Sequence, residues 1–166
     1  TETPPAVVID LVGKMTEIVR KQGCRLILEN EAACWGSTGT EAAQIIRAVG
    51  SDKISLCWDP GNSARAGSAC PFPDEYETIK DLISHVHMKN FDPETGSWSL
   101  IDWGKVDWPG HIAALIRDGY DGYLVIETHT DISPDEFTAR DETFSDLENN
   151  SLYNLQLVRS YLNRDI

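Results

Sequence analysis

Basic residues are scarce in this chain of 166 residues: Lys and Arg together number 14, against 27 Asp and Glu. The formal net charge is −13 at pH 7, and the isoelectric point is near 4.5. Nucleic acids and anionic membranes bind surfaces rich in Lys and Arg, so neither is expected as a partner. Part of the negative charge is expected to surround a bound cation, and the rest to lie on the solvated surface.

A long apolar run and paired cysteines are also absent, and no signal peptide is expected within this sequence. No apolar segment approaches the ~20 residues that span a bilayer, and TETPP (1–5) has no feature of a signal peptide. No Cys-x-x-Cys pair occurs, and Cys24 and Cys57 adjoin apolar runs, so both are expected to be core thiols. The expected compartment is therefore reducing and cytoplasmic. Because the first residue is Thr1 and not Met, we expect a processed chain or part of a longer one.

Short apolar segments alternate with segments of helical periodicity along the whole chain. Four strands are predicted, over residues 24–30, 53–62, 83–90 and 122–128. Five helices are predicted, over residues 4–22, 40–49 (with Thr40 as the cap), 73–82, 109–118 and 148–162. A loop of about fifteen residues is expected after the third strand, and an irregular polar segment over residues 129–147. This alternation predicts a parallel α/β sheet, and residues 1–166 show no break in composition that would divide a single domain.

Each predicted strand carries a potential metal ligand near its carboxyl end: Glu29, Asp59, His87 and Glu127. A single acidic residue at a strand end is usually a helix cap or a solvated loop side chain. Here a potential ligand occurs at the end of all four predicted strands. Since the carboxyl ends of parallel strands share one edge of the sheet, the four side chains are expected to converge. Three carboxylates in a half-buried cleft repel one another, and a divalent cation neutralises them directly. This ligand set suits one Mn²⁺, Mg²⁺, Co²⁺, Fe²⁺ or Zn²⁺ ion.

Four segments resemble the sugar phosphate isomerase/epimerase superfamily, which has the xylose isomerase-like TIM barrel. They are LILENE (26–31), CWDPGN (57–62), HVHMKN (85–90) and WGKVDWPGHIAALIRDGYDGYLVIETH (103–129). The resemblance implies the same metal ligands, Glu29, Asp59, His87 and Glu127, and a (β/α)₈ barrel. This chain supplies about four βα units, which resemble the C-terminal half of that barrel. Half a barrel exposes two sheet edges, so we expect a homo-oligomer or pairing with the missing half.

The resemblance also implies a reaction, namely the isomerisation or epimerisation of a sugar, a sugar phosphate or a related polyol ketone. Glu29 and Glu127 would act as an acid/base pair that removes and returns a proton through a metal-stabilised enediolate. Asn62, His85 and Lys89 are candidates for contacts with substrate hydroxyls or around the metal, although ordinary structural roles stay open for each of them. His129, just beyond Glu127, is a further candidate.

Several positions depart from the family pattern. Asn90 replaces a common Asp, Asn62 replaces a His that epimerases commonly have, and no Arg occurs between Met88 and Val106. The substrates of the well-studied epimerases are therefore not implied.

A lyase, such as a keto-polyol dehydratase, would use the same enolate, and a folded but inactive half-barrel is a third reading. A DNA-repair role like that of endonuclease IV is disfavoured because it needs many histidines, of which this chain has 4.

Overall fold

All four predicted strands form, and they make one parallel sheet. Their bounds are Leu26–Glu29 (β1), Ile54–Trp58 (β2), Ile83–Met88 (β3) and Tyr123–Ile126 (β6). The structure, a computed structural model, describes residues 3–130, 132 and 141–163. Within these residues the strand order is β1-β2-β3-β6, so β1 and β6 are the two edge strands. Residues 131 and 133–140 of the segment predicted to be irregular lie outside the described residues.

Helices connect successive strands of this sheet, as parallel pairing requires. Their bounds are Ala6–Lys21 (α1), Gly39–Val49 (α2), Pro60–Arg65 (α3), Tyr76–Ile79 (α4), Trp108–Arg117 (α5) and Asp146–Leu162 (α6). An irregular helical turn, Pro71–Glu75, precedes α4, and a 3-10 turn, Lys80–Leu82, follows it. The predicted helix over residues 73–82 is thus divided into short pieces. The expected architecture, a parallel βα repeat resembling half of a TIM barrel, is confirmed.

Two short elements were not predicted. The helix α3 begins where the sequence suggested only a broken strand, because Asp59 caps it and Pro60 occupies its first turn. The expected loop after β3 contains an antiparallel hairpin, formed by β4 (Asn90–Asp92) and β5 (Ser97–Ser99). Both elements lie next to the strand ends that carry the candidate ligands.

Capping residues fix where the longer helices begin. Thr38, and not Thr40 as predicted, caps α2: its side chain accepts a hydrogen bond of 3.2 Å from the backbone N–H of Glu41. Ser145 and Glu148 form the equivalent reciprocal box at α6, which therefore begins two residues before the predicted start. Gly23, with φ +71°, follows the end of α1 as predicted.

The two faces of the sheet differ in burial. The side chains that face the helices are fully buried, among them Leu56, Trp58, Val86 and Met88. The opposite face is open at both edges: Ile27 is 46% exposed, Tyr123 77% and Val125 38%. Since side chains alternate between faces along a strand, these three share the face of Glu29, His87 and Glu127. This face corresponds to the interior of a closed barrel.

Two further expectations concern cysteine burial and membranes. Cys57 is buried on β2 as expected, but Cys24 is exposed, because α1 ends before it and the chain there lies outside the core. Among the described residues, no helix has both the length and the apolar character of a membrane span.

Candidate metal centre

The structure brings together the four predicted metal ligands. Glu29 is the last residue of β1, His87 lies near the end of β3, and Asp59 and Glu127 directly follow β2 and β6. One ligand atom from each lies within 4.8 Å of those of the others. The imidazole Nδ1 of His87 is 2.9 Å from Glu29 Oε1, 3.2 Å from Glu127 Oε2 and 3.9 Å from Asp59 Oδ2. This cluster of four is called the carboxylate centre below.

Asp59 is held in place by its own backbone and by the helix that follows it. Its Oδ1 accepts a hydrogen bond of 2.8 Å from the backbone N–H of Asn62, which caps α3. The side chain of Asn30 bridges the two strand ends, because it donates to Asp59 O at 2.8 Å and accepts from Asp59 N at 2.9 Å. The carboxylate is fully buried, and this burial raises the pKa of Asp59 to about 7 in spite of the nearby Lys89 ammonium. The second oxygen, Oδ2, is thereby directed into the carboxylate centre.

Lys89 supplies the positive charge closest to Asp59 and Glu127. Its Nζ lies 2.8 Å from Glu127 Oε2 and 3.0 Å from Asp59 Oδ2, and its side chain is 4% exposed. The contact with Glu127 is a hydrogen bond, whereas Asp59 Oδ2 accepts no well-oriented hydrogen bond from any described residue. Burial is the largest single influence and raises the pKa of Glu127, but the hydrogen bond and charge of Lys89, with smaller contributions from His129 and His87, together outweigh it, so the net shift is downward. Glu127 is thus held as a carboxylate.

The charges and atoms of the centre fit a divalent cation. Contacts with Cys57 and then with Glu29 raise the pKa of His87 to about 10, and a bound metal ion would take the place of that proton. With His87 neutral, three carboxylates and the Lys89 ammonium leave a net charge of about −2, which one divalent ion balances. Oxygen donors with one imidazole are ligands of hard or borderline ions. The buried Asp59 Oδ2 accepts no hydrogen bond from the described residues, and a metal ion bound there would be its partner. Glu29, Asp59, His87 and Glu127 are therefore the residues that would hold the ion.

Comparison with known proteins agrees with this geometry. Residues 5–145 match the family model of the xylose isomerase-like TIM barrel. The chain belongs to this family. A xylose isomerase-like TIM barrel protein from Mycobacterium smegmatis, solved in complex with magnesium, is 25% identical and has a TM-score of 0.64; the match covers 97% of this chain and 54% of that one.

Two other solved structures of lower identity share the xylose isomerase-like fold. The 3-keto-D-glucoside 4-epimerase of E. coli is 17% identical with a TM-score of 0.65, and the match covers 92% of this chain and 52% of that one. The probable 3-DHS dehydratase of Bacillus anthracis is 14% identical with a TM-score of 0.65, covering 95% of this chain and 56% of that one. The chain thus spans about half the length of the structures that it matches.

Asn62, in the first turn of α3, is fully buried next to the centre. Its Nδ2 donates to Asn30 O at 2.9 Å and lies 3.3 Å from both Glu29 Oε1 and Glu31 Oε2. Its Oδ1 accepts no hydrogen bond from the described residues. Asn62 therefore contacts Glu29 from the protein side, and its predicted contact with substrate stays a prediction.

The other predicted contact residues surround the centre on its open side. His85 is half-buried, with its ring centroid 5.5 Å from that of His87. Burial and the adjacent His87 lower the pKa of His85. His129 is 42% exposed, and its Nε2 lies 3.0 Å from Glu127 Oε1, so Glu127 is contacted from two directions.

Two residues at the site were not singled out from the sequence. Asn30, which fixes Asp59, directly follows Glu29, and a polar residue at the buried end of a strand was the signal available. Trp98 on β5 stacks on His129 at 5.4 Å and lies under the Lys89 ammonium at 4.9 Å. Trp98 also borders a cavity of about 470 Å³ that Arg65 and His129 line. No local signal in the sequence connects Trp98 to the strand ends.

Proposed function

We propose that this chain contributes the metal-binding half of a divalent-metal-dependent isomerase or epimerase. The substrate class is a sugar, a sugar phosphate or a related polyol ketone. The observation that carries the proposal is the convergence of Glu29, Asp59, His87 and Glu127 within 4.8 Å on a xylose isomerase-like fold. An ion held there supplies positive charge beside a substrate carbonyl and so lowers the pKa of the adjacent C–H group. Mn²⁺, Mg²⁺, Co²⁺, Fe²⁺ and Zn²⁺ all suit this ligand set.

Glu29 and Glu127 are suited to move the proton because they approach the centre from opposite sides. Glu29 ends β1 and Glu127 follows β6, the two edge strands of the sheet, and yet both reach His87 Nδ1, at 2.9 and 3.2 Å. One carboxylate takes the proton next to the carbonyl, and the C–H electron pair becomes the double bond of an enediolate. The other, as a carboxylic acid, returns a proton from the opposite face or to the adjacent carbon. The first outcome is epimerisation, and the second is isomerisation, in which the hydroxyl proton of the enediolate also moves to the former carbonyl oxygen.

Lys89 and His129 position Glu127 for this step. Lys89 donates to Oε2 at 2.8 Å and the ring of His129 lies 3.0 Å from Oε1, so both carboxylate oxygens have a partner. Asn62 positions Glu29, because its Nδ2 donates a hydrogen bond of 3.3 Å to Glu29 Oε1. We propose that the half-buried His85 and the Lys89 ammonium, which lies 2.8 Å from Glu127 Oε2, contact substrate hydroxyls and that Asn62 acts through Glu29.

We further propose that residues 1–166 act as one α/β domain, equivalent to the C-terminal half of the barrel. The exposed inner-face residues Ile27, Tyr123 and Val125 need a cover, which a second copy or the missing half-barrel provides. An 18.5 kDa monomer without bound metal would instead indicate the inactive half-barrel.

A dehydratase is the second candidate function. The fold shared with the probable 3-DHS dehydratase, at a TM-score of 0.65, favours it. The proton removed by Glu29 or Glu127 is the same in both reactions, and the two diverge only when a hydroxyl leaves the neighbouring carbon. Product analysis by NMR separates them, because dehydration yields a new double bond and epimerisation does not.

The test combines metal binding with proton exchange. Purified protein is freed of metal and titrated with Mn²⁺ by calorimetry, and a panel of ketoses and keto-polyols is then incubated with the Mn²⁺ protein in D₂O. We expect binding of one ion and deuterium incorporation next to the carbonyl. Glu29→Gln and Glu127→Gln should each remove the exchange, whereas Glu94→Gln, on the exposed hairpin turn, should not. Absence of Mn²⁺ binding would end the proposal.

A further inference from the structure

A second group of metal-ligating side chains lies directly below the carboxylate centre. It consists of Cys57, His85 and His87, of which one ligand atom each lies within 4.8 Å of the others. Cys57 and His85 are register partners on the neighbouring strands β2 and β3, and His87 follows His85 on the same face. Asp59 and His87 continue these two strands upward into the carboxylate centre. This face of the sheet thus carries two groups of potential ligands that share the imidazole of His87. The carboxylate centre is called the upper tier below, and Cys57, His85 and His87 are called the lower tier.

The two tiers differ in chemical character. The upper tier has three carboxylates with one imidazole, which is a hard set, whereas the lower tier has one thiol with two imidazoles and no carboxylate. Thiolate and imidazole ligands select Zn²⁺, Cd²⁺ or Cu⁺ over Mn²⁺ or Mg²⁺. Cys57 is 4% exposed and forms no disulfide, so the thiol is preserved from ready oxidation.

The dimensions of the group suit a small soft cation. With metal–sulfur and metal–nitrogen bonds of about 2.3 and 2.0 Å, ligand atoms around one zinc ion lie roughly 3.3 to 3.8 Å apart. The three ligand atoms lie within 4.8 Å of one another, so a bound zinc ion would draw any pair closer by about 1.5 Å at most. His85 is half-buried and faces the open side of the sheet, near the exposed Tyr123, whose ring lies 6.2 Å away. This opening gives an entry path and leaves one coordination position for solvent.

We propose that Cys57, His85 and His87 form a binding site for a soft divalent cation, Zn²⁺ or Cd²⁺, that adjoins the carboxylate centre through His87. Three protein ligands and one open position are the arrangement of an exchangeable zinc site and not of a closed structural one. The inference does not depend on the proposed reaction, since the ligands Cys57 and His85 belong only to the lower tier.

The test uses Cd²⁺, because a thiolate–cadmium bond has its own ultraviolet charge-transfer absorption. The protein carries Cys24→Ser, Cys34→Ser and Cys70→Ser, so that Cys57 is its only thiol. We expect this protein to bind one Cd²⁺ ion with the charge-transfer band. Cys57→Ser should remove the band, and His85→Ala should weaken Cd²⁺ binding about tenfold or more. The matched control is His129→Ala, which removes a histidine outside the lower tier and should leave Cd²⁺ affinity unchanged.

Parallel Mn²⁺ titrations separate the two tiers. Cys57→Ser should keep Mn²⁺ affinity within about twofold while Cd²⁺ binding is lost, and Glu127→Gln should do the reverse. His87→Ala should weaken both ions. The proposal is overturned if the single-thiol protein shows no band, or if His85→Ala binds Cd²⁺ as tightly as His129→Ala does. Failure of Mn²⁺ binding alone bears on the proposed function and leaves the Cys57 site intact. Circular dichroism of each variant establishes that the fold is retained.

Discussion

The ammonium nitrogen of Lys89 lies 2.8 Å from Glu127 Oε2, inside a cluster otherwise composed of acids and one imidazole. Lys89 is 4% exposed and is the cation nearest to the buried Asp59. Lys89→Met should therefore lower the free energy of unfolding of the metal-free protein by about 3 kcal/mol, since it removes the cation nearest to the buried carboxylate of Asp59. Saturating Mn²⁺ should recover much of this loss, because the ion replaces the missing charge. Urea denaturation with and without Mn²⁺ measures both effects.

Lys14→Met is the control for that experiment. Lys14 is 70% exposed and pairs with Asp10 one helical turn away, so its removal should change the unfolding free energy by less than about 1 kcal/mol. Equal stabilities of the two variants would contradict the role assigned to Lys89.

Asp59→Asn should separate metal binding from folding. Asparagine keeps the oxygen that caps α3 through Asn62 and removes the buried negative charge, so the metal-free protein should stay as stable as the parent. Mn²⁺ affinity should fall about 100-fold or more, since a charged ligand is lost. Calorimetric titration measures the affinity, and thermal unfolding of the metal-free protein measures the stability. Unchanged Mn²⁺ affinity would exclude Asp59 as a ligand.

Asn90→Asp should destabilise the fold although the two side chains have nearly the same size. The Asn90 amide donates to Ile101 O at 2.8 Å and to Val106 O at 3.0 Å, while its oxygen accepts from Val106 N at 2.9 Å. A carboxylate cannot donate, so two carbonyl oxygens would face a buried negative charge at a cost of about 2–4 kcal/mol. Gly104 packs against this amide so closely that a Cβ would lie 2.3 Å from Asn90 Oδ1.

Chemical denaturation of the Asn90 variant gives the free energy directly. Asn90→Ala, which removes both the donors and the acceptor, is the comparison and should be less damaging than Asn90→Asp. The reverse order would show that the donors of Asn90 are unimportant.

His111 should make stability depend on pH. The side chain is fully buried, accepts a hydrogen bond of 3.3 Å from Trp58 Nε1 and stacks on Trp108 at 5.2 Å. Burial lowers its pKa from 6.5 to about 3, so the unfolded chain takes up a proton at a higher pH than the folded one. The stability that the neutral, buried His111 contributes to the fold is fully present above pH 6.5. It is lost as the pH falls from 6.5 towards 3, at up to about 1.4 kcal/mol of unfolding free energy per pH unit.

His111→Gln keeps an acceptor for Trp58 but does not titrate, so its unfolding free energy should vary less steeply between about pH 7 and pH 5 than that of the parent. Denaturant unfolding at several pH values gives the two slopes. His129→Gln, at an exposed site, should follow the parent. Parallel slopes for the His111 variant and the parent would refute the assignment.

The sequence predicted the parallel sheet and the convergence of the four ligands because both follow from local patterns. Apolar runs that end in Glu29 or Glu127 mark strands, and parallel pairing then brings their ends to one edge. Helix α3 was missed because Pro60-Gly61 suggests a break, although Asp59 before Pro60 is also a capping signal. The position of Trp98 next to Lys89 could not be predicted from the sequence, because it depends on how a hairpin of two three-residue strands folds back on the sheet.

The exposure of Ile27, Tyr123 and Val125 has a thermodynamic consequence for the ion. These side chains lie on the face that carries the ligands, so whatever covers them also displaces water from around Glu29, His87 and Glu127. Drier surroundings strengthen the attraction between carboxylates and a cation. By thermodynamic linkage, the bound cation then raises the affinity for the covering chain by the same factor as the covering chain raises the affinity for the cation. Where a second copy of the chain is the cover, the affinity for the ion should accordingly rise with protein concentration; where a separate half-barrel is the cover, it should rise with the concentration of that half.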